Sequence, residues 1–274
     1  MEISSKPIAV GRTAEIYAWG DGRILKLLRP GFPPGLIKQE ELITTAIYQA
    51  GIAAPKIYGV VEVNGQPGIV YERIDGPSLT GTIERHPFRL REHAALLAKL
   101  HAAIHTHTYS QAAEGSPRQK KILAYQVQEA EVLPEAVRNA VLSLLDRLPD
   151  GDTLCHNDFH PLNVLMGPGG PVIIDWESAS LGNPCADVAR TSLTVTLGRP
   201  AEGFPNFWMK KVAEFYLRAF TSAYLASYRS FAHDRLDDLS AWQTVQAAAK
   251  VQYEAPANQG MWIEVIEKGL KKVE

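Results

Sequence analysis

Short apolar stretches broken by glycines open the chain and predict a small β-rich region. The candidate strands are Ile8 to Val10, Glu15 to Trp19, Arg23 to Leu28, Ile57 to Val63 and Gly68 to Ile74. The last two flank Asn64-Gly65, a dipeptide typical of tight β-hairpins. A helix is predicted before them, because inward-facing positions recur there at three- and four-residue steps. These positions are Ile37, Glu40, Ile43, Ile47 and Ala50.

Past Gly76-Pro77 the apolar pattern lengthens to the period of helices. One buried stripe is predicted at Leu90, Ala94, Leu97, His101 and Ile104. Helical periodicity returns from Ile122 to Leu148, after a polar stretch from Ser110 to Gln119 that is expected to be a loop. Beyond Asp187 the chain is predicted to be helical nearly to its end, with core aromatic residues at Trp208, Phe215, Tyr224 and Trp242.

Composition narrows the classes of partner. The chain has 274 residues, 46% of them hydrophobic, and a formal net charge of -2, so no overall field favours nucleic acid or an anionic membrane. No apolar run approaches the roughly 18 residues of a membrane helix, and the first residues are not those of a signal peptide. A cytoplasmic protein is therefore expected. Cys155 and Cys185 lack the spacing of a zinc site and are predicted to be buried apolar residues.

The stretch from Leu154 to Trp176 has two apolar segments around the turn formers at 167–170, which predicts a β-hairpin. With the turn centred near Gly169, Asn163 and Asp175 fall roughly opposite each other at its open end. An amide and a carboxylate oxygen are ligands that Mg²⁺ accepts beside phosphate oxygens and water. Asp158 lies on the irregular segment that enters this hairpin.

The motif His156-x-Asp158-x4-Asn163, followed by Ile174-Asp175-Trp176, resembles the signature of the aminoglycoside phosphotransferase and choline kinase family. The resemblance implies an α+β, protein-kinase-like fold with a small antiparallel-sheet N-terminal lobe and a mainly helical C-terminal lobe. It implies that Asp158 accepts or orients the proton of the acceptor hydroxyl. It further implies that Asn163 and Asp175 hold Mg²⁺ at the phosphates of ATP.

The same resemblance divides the chain. Residues 1–74 are expected to form a nucleotide-binding lobe, with a hinge near 71–76. Residues 75–274 are expected to carry the catalytic loop and the acceptor site.

Lys26 is the candidate for a phosphate-binding cation, because it follows two apolar residues in the third predicted strand. This position resembles that of the strand lysine in kinase-like folds, which pairs with a helix glutamate. Glu40 shares the inward register of the predicted helix and is the expected partner, with Glu41 as the alternative.

Two more segments are assigned to the nucleotide. The segment from Gly11 to Glu15 occupies the place of a phosphate-covering loop but lacks the GxGxxG pattern, and Arg12 and Thr13 are its candidate contacts. The segment from Val70 to Gly76 resembles the family's hinge, where backbone groups of Glu72 and Ile74 would bind adenine.

Two positions of the predicted catalytic loop depart from the family's pattern, and two further positions that resemble the family lie outside the phosphate site. Asn157 stands where the family usually has glycine, and Leu162 where it usually has a small or polar residue. His101 is more typical of a core histidine than of a catalyst. Asp187 resembles the family's acidic residue that braces the catalytic loop.

The sequence thus predicts an ATP- and Mg²⁺-dependent kinase that phosphorylates a hydroxyl of a small molecule. The sequence from Arg199 onward contains nine acidic and ten basic residues, so no acidic excess favours an aminoglycoside over a sugar or an amino alcohol. A nucleotide-binding pseudokinase is one alternative. A zinc hydrolase built on the run from His156 to His160 is another. Neither the acceptor nor the oligomeric state follows from the sequence.

Overall fold

A computed structural model describes residues 6–107, 117–197, 207–234 and 236–272. Within these ranges the strands are β1 (Ala9–Val10), β2 (Ala14–Ala18), β3 (Arg23–Leu28), β4 (Ile57–Val63), β5 (Gln66–Glu72), β6 (Thr153–Cys155), β7 (Val164–Gly167), β8 (Gly170–Ile173) and β9 (Ser180–Gly182). The helices are α1 (Gly35–Gln49), α2 (Leu79–Arg85), α3 (Leu90–Ile104), α4 (Gln119–Gln128), α5 (Glu135–Arg147), α6 (Pro184–Leu197), α7 (Phe207–Ala232), α8 (Leu239–Val251) and α9 (Pro256–Leu270). None of the helices in the described ranges combines the length and the apolar character that crossing a bilayer requires.

The chain forms two compact units. The first contains residues 1–85 and 161–178, and the second contains residues 86–160 and 179–274. The predicted boundary at residue 74 assigned the hairpin near 161–178 to the helical part, whereas this segment packs within the first unit. The unit that carries the sheet therefore also contains the hairpin with Asn163 and Asp175.

The sheet of the first unit is antiparallel, as the sequence predicts, and its strand order is β1-β2-β3-β5-β4. In its central strand, Lys26 pairs with Ile16 of β2 and Ile69 of β5. The Asn64-Gly65 turn joins β4 to β5, and both of its residues have positive φ. The predicted fifth strand, Gly68 to Ile74, is displaced by two residues at each end, because β5 continues the β4 hairpin from Gln66.

Strand alternation determines what faces α1. Leu25 and Leu27 pack on one face of the sheet with Val70. Because side chains alternate along a strand, Lys26 and Leu28 lie on the other face, where Leu28 packs against Ile37 of α1. On α1 the buried residues Ile37, Glu40, Thr44 and Ile47 form one stripe. Gly51, with φ of 80°, ends this helical segment in the left-handed conformation that glycine adopts readily.

A hairpin of β7 and β8 completes the first unit. Its register pairs Val164 with Ile173 and Gly167 with Gly170, so the turn is centred between residues 168 and 169. The segment at 76–78 packs against β7, where Met166 N donates to Pro77 O at 2.8 Å. A Cβ on Gly76 would lie 2.0 Å from Met166 O, so only glycine permits this approach.

The second unit is mainly helical, with α3 packed on α7 and α8 packed on α6 and α9. The predicted stripe on α3 is confirmed, since Ala94, Leu97, His101 and Ile104 are buried. The predicted helical stretch from Ile122 to Leu148 consists of two helices, α4 and α5. Of the polar loop predicted at Ser110 to Gln119, residues 110–116 lie outside the described residues, and Gln119 begins α4.

The prediction of core aromatic residues was half right. Tyr224 and Trp242 are buried, but Trp208 and Phe215 are 75% and 74% exposed. Both exposed residues lie in the first half of α7, whose buried positions begin near Phe220. Apolar character alone therefore misplaced them in the core.

A second strand pair was not predicted. β6 and β9 pair antiparallel, with Cys155 opposite Ser180. β6 ends just before residue 156 and β9 begins just after residue 179, so this pairing brings the two ends of the segment 156–179 together. Leu181 N also donates to Pro117 O at 3.0 Å, which ties the start of α4 to β9.

Candidate active site

The ammonium group of Lys26 is the centre of an ion network in the first unit. Its Nζ lies 2.8 Å from Glu40 Oε1, 2.9 Å from Asp175 Oδ1 and 3.2 Å from Glu177 Oε2. Burial by itself would lower the pKa of Lys26, but the charges of the three carboxylates outweigh burial and raise that pKa. Lys26 is therefore a fixed cation, and the glutamate that contacts it from the helix is Glu40.

Glu40 is held from two sides. Its Oε1 accepts hydrogen bonds from Lys26 Nζ and from Tyr71 Oη, both at 2.8 Å. Burial raises the pKa of Glu40, while the ammonium of Lys26 and the two hydrogen bonds oppose that rise. Tyr71 lies on β5, on the sheet face shared with Lys26, so two adjacent strands and α1 together orient this pair.

Asp175 follows β8 and has φ of 66°, in the left-handed region that is uncommon for aspartate. Asn163 O accepts from Ile174 N at 3.0 Å, so the residue opposite Asn163 is Ile174. The register predicted for the hairpin was thus wrong by one residue, because the turn is centred half a residue earlier than expected. The turned backbone at Asp175 directs its carboxylate to Lys26.

The oxygen atoms at this end of the hairpin suit a hard cation. Asn163 is buried and supplies an amide oxygen, while the side chain of Asp175 is 39% exposed and uses Oδ1 for Lys26. Glu177, two residues further along, adds a second carboxylate to the same unit. Carboxylate and amide oxygens with room for water and phosphate are the donor set that Mg²⁺ takes in nucleotide sites.

The predicted phosphate-covering loop connects to this network through Thr13. Its Oγ1 donates to Glu177 Oε2 at 3.2 Å, and its carbonyl accepts from Arg29 N at 2.8 Å. Arg12 is exposed on the same turn. The side chain of Thr13 therefore links this loop to a carboxylate that also contacts Lys26.

In the second unit, the loop around Asp158 is anchored by Asp187. The backbone N–H of His156 donates to Asp187 Oδ2 at 2.6 Å, and that of Asn157 donates to Asp187 Oδ1 at 2.9 Å. Asp187 is fully buried at the start of α6. Burial alone would raise the pKa of Asp187, but its contacts with His101 and His105 lower that pKa well below its usual value. The ionised carboxylate thus orients two successive peptide groups before Asp158.

Three basic side chains of this unit, His160, Arg190 and Lys250, act electrostatically on the carboxylate of Asp158. Oδ2 lies 3.5 Å from His160 Nε2, and the side chain is 30% exposed. Burial would raise the pKa of Asp158, but the hydrogen bond with His160 and the charges of Arg190 and Lys250 outweigh it and lower that pKa. Asp158 is therefore ionised at neutral pH and can accept a hydrogen bond from a hydroxyl.

His101 lies in the last turn of α3 and His105 is its C-cap residue, and both approach Asp187 Oδ2 through Nε2, at 3.1 and 3.3 Å. An ionised carboxylate only accepts hydrogen bonds, so Nε2 of His105, which is hydrogen-bonded to it, carries the proton. Nε2 of His101 is close to the same oxygen but is not aligned for a hydrogen bond, and a proton on it is favoured by the charge of the carboxylate. Each Nδ1 can then accept from a tyrosine, Tyr224 for His101 and Tyr228 for His105, both at 2.6 Å.

These three side chains bear on the zinc alternative. Within the described residues, the set of His, Cys, Asp and Glu groups spaced closely enough for a metal ion is His101, His105 and Asp187. It does not include Asp158 or His160, on which the predicted zinc hydrolase depends. The carboxylate of this set already accepts two backbone N–H groups, and the set therefore has the contacts of a structural support.

A comparison with models of protein families identifies the family of this chain. A family model described as "Phosphotransferase enzyme family" matches residues 4–239. The chain belongs to this phosphotransferase family. A search of curated proteins with the sequence found no match.

Solved structures agree with the phosphotransferase assignment at the level of the fold. An aminoglycoside-3'-phosphotransferase of type VIII has a TM-score of 0.64 at 16% identity, over 90% of this chain and 93% of that chain. The choline kinase LicA from Streptococcus pneumoniae has a TM-score of 0.63 at 18% identity, over 99% and 95% of the two chains. The amicoumacin kinase hAmiN has a TM-score of 0.61 at 16% identity, over 96% and 87%. The predicted protein-kinase-like fold is thereby confirmed.

The segment predicted to be the hinge begins at the end of β5. Glu72 ends this strand, and its N–H donates to Lys56 O at 2.8 Å. Ile74 follows the strand and is half-buried. A Cβ on Gly167 would lie 3.0 Å from Ile74 Cγ2, so Ile74 packs closely on the hairpin.

Two residues that contact predicted site residues, one in each unit, were not predicted from the sequence. Glu177 contacts Lys26 and Thr13, and its acidic character two positions after Asp175 was the available signal. His160 lies beside Asp158, but the sequence predicted for it only the role of a zinc ligand. Glu177 was missed because its contact with Lys26 joins residues that are far apart in the sequence. His160 was missed because its contact with the Asp158 carboxylate is not that of a zinc ligand.

Burial lowers the pKa of His101 from 6.5 to about 4, even though Asp187 opposes the shift. The unfolded chain therefore binds a proton at His101 between pH 6.5 and 4 that the folded protein does not. This contribution to the free energy of unfolding is complete above pH 6.5 and is lost as the pH falls towards 4. We expect a loss of roughly 2 to 3 kcal/mol between pH 7.5 and 4.5. Urea unfolding of wild type and His101→Gln at pH 7.5 and 4.5 measures it, and equal losses in the two proteins would contradict the assignment.

Proposed function

We propose that this protein transfers the γ-phosphoryl group of ATP to a hydroxyl of a small molecule, in a reaction that requires Mg²⁺. The observation that carries the proposal is the network of Lys26 with Glu40 and Asp175. It joins a strand cation, a helix glutamate and a hairpin carboxylate, which are the parts that kinase-like phosphoryl transfer uses. The amicoumacin kinase hAmiN was solved with AMP-PNP and Ca²⁺, which supports a nucleotide and a divalent cation here.

Each side chain then has a role that its chemistry supports. Lys26 would exchange part of its carboxylate contacts for phosphate oxygens, since an ammonium group has three donors. Asn163 and Asp175 would hold Mg²⁺, which supplies positive charge next to the phosphates. Thr13 and Arg12 would lie over the phosphates, and the backbone at Glu72 and Ile74 would bind adenine.

Asp158 would act on the acceptor. Its ionised carboxylate can orient the hydroxyl and accept its proton as the oxygen attacks phosphorus. Little covalent chemistry remains for the protein in such a transfer, so positioning and charge supply most of the catalysis.

The charges near Asp158 favour a neutral acceptor. Arg190 and Lys250 both act on this carboxylate and offset its negative charge, so the described charges at Asp158 give no acidic excess that would attract a polycation. Among aminoglycosides, amino alcohols and sugars, we therefore place sugar-type acceptors first.

An acceptor screen tests both levels of the proposal. ATP consumption in the presence of Mg²⁺ is measured with sugars and polyols, with amino alcohols and with aminoglycosides. Phosphorylation of each product is verified by ³¹P NMR. The variant Asp158→Asn is the control. We expect sugar-type compounds to have the highest kcat/KM. A higher kcat/KM for aminoglycosides would contradict the acceptor class, and the absence of acceptor-dependent ATP consumption with every compound would contradict the function.

A further inference from the structure

Asn157, the residue before Asp158, has φ of 61°, in the left-handed region. Glycine adopts this conformation without the steric cost that a side chain brings. Asparagine also adopts this region more readily than most other residues, so the backbone accepts either glycine or asparagine, and the contacts of the side chain distinguish the two. Asn157 precedes Asp158, so contacts of its side chain can affect the backbone that leads into Asp158.

The side-chain amide of Asn157 joins two separate elements. Its Nδ2 donates to Ser180 Oγ on β9 at 2.8 Å and to Cys155 O at 3.4 Å. Its Oδ1 accepts from Gln119 Nε2 at 2.7 Å. Both ends of the amide are thus engaged, and the amide orientation follows from the donors and acceptors around it.

Gln119 is itself held firmly. It is buried at the first turn of α4, and its Oε1 accepts from Asn183 N at 2.9 Å. A Cβ on Gly182 would lie 2.2 Å from that Oε1, so Gly182 leaves the space that Gln119 fills. The side chain of Asn157 is therefore attached to a rigid part of the second unit.

The loop before Asp158 has two anchors of different kinds. Asp187 accepts the backbone N–H of Asn157, a contact that any residue at this position could make. The contacts with Gln119 and Ser180 depend on the asparagine side chain. Glycine at position 157 would keep the first anchor and lose the second.

We propose that Asn157 is a positioning residue whose side chain, held between Gln119 and Ser180, fixes the peptide that leads into Asp158 and so directs the Asp158 carboxylate. Its consequence for turnover rests on the proposed phosphotransferase function. The positioning itself is a property of the loop and can be measured without an acceptor.

Kinetics of Asn157→Gly test the consequence. We expect kcat to fall about tenfold while KM for Mg-ATP changes less than about twofold, because a displaced carboxylate affects transfer rather than nucleotide binding. Gln119→Met should lower kcat in the same way, and the double variant should lose little more than Asn157→Gly, since both changes break one network.

Asn64 also has positive φ, at 53°, in the β4–β5 turn, so Asn64→Gly is the matched control and should leave kcat unchanged. A kcat of Asn157→Gly equal to wild type, or an equal fall in Asn64→Gly, would overturn the proposal.

Amide hydrogen exchange provides the measurement that needs no acceptor. In the full-length protein, peptides that cover residues 155–160 should exchange about five- to tenfold faster in Asn157→Gly, as expected when about one net hydrogen bond is lost. The same peptides should be unchanged in Asn64→Gly. If wild type phosphorylates no compound, the proposed function fails while this comparison still decides the positioning role. Unchanged exchange at 155–160 in Asn157→Gly would sink that role.

Discussion

Asp158→Asn is expected to lower turnover by about 10²-fold or more, as is typical when a positioned acid-base group is lost. Mg-ATP affinity should persist, because the nucleotide is assigned to residues of the first unit. The variant keeps the shape of the side chain but removes a charge that His160, Arg190 and Lys250 stabilise. Single-turnover rates and calorimetry with Mg-ATP measure the two quantities separately.

Asp175→Asn is the matched comparison, because it makes the same chemical change at the other acidic position. It removes a charged oxygen that lies 2.9 Å from Lys26 and that is assigned to the metal. We expect a higher Mg²⁺ requirement and weaker nucleotide binding. If Asp158→Asn turned over normally, or lost nucleotide as severely as Asp175→Asn, these two roles would have to be abandoned.

The first unit shows how far local patterns reach. Alternation along β3 places Lys26 on the face of Leu28, and the helical stripe of α1 places Glu40 on the face of Ile37. Because both periods were visible in the sequence, the contact between the two charged groups could be predicted once the helix was taken to cover that face. Glu40 rather than Glu41 follows from the same register.

In the catalytic segment, local sequence patterns were not sufficient to predict the register and the long-range contacts. The turn of the β7–β8 hairpin could be recognised from its glycines, but its centre could not, and an error of half a residue shifted the partner of Asn163. The pairing of β6 with β9 spans the whole hairpin and leaves no periodic trace in strands of three residues. Gln119 reaches Asn157 across 38 positions, a contact that only the folded chain reveals.

Apolar side chains in α7 were a different kind of error. Trp208 and Phe215 have the character of core residues, yet they lie on a part of the helix that the described residues do not cover. Amphipathic period identifies the helix, whereas the packing of neighbouring elements decides how much of it is buried. The same helix contributes Tyr224 and Tyr228 to the support of Asp187, for which no local signal exists.

Lys26→Met is expected to reduce kcat/KM for ATP by about 10²-fold or more, the size of effect seen when one preorganised charge donor is removed from a transferring group. Lys26→Arg is the control for charge alone. It keeps the cation but replaces a compact ammonium with a planar, larger fork, so it should recover only part of the activity. Unchanged ATP affinity and unchanged turnover in Lys26→Met would refute the assignment of Lys26 to the phosphates.

Loss of activity in Lys26→Met could also follow from unfolding, and the network itself provides the means to separate the two. Removing one partner of a buried ion pair costs about 3–5 kcal/mol, because the remaining charge is left without compensation. Here that charge is Glu40, whose pKa burial already raises. The double variant Lys26→Met/Glu40→Gln removes this charge, while the amide oxygen of the new side chain can still accept the hydrogen bond that Tyr71 Oη donates. We therefore expect urea unfolding to show that the double variant regains most of the stability, while nucleotide use stays as low as in the single variant. Recovery of activity together with stability would mean that Lys26 supports the fold and does not bind ATP.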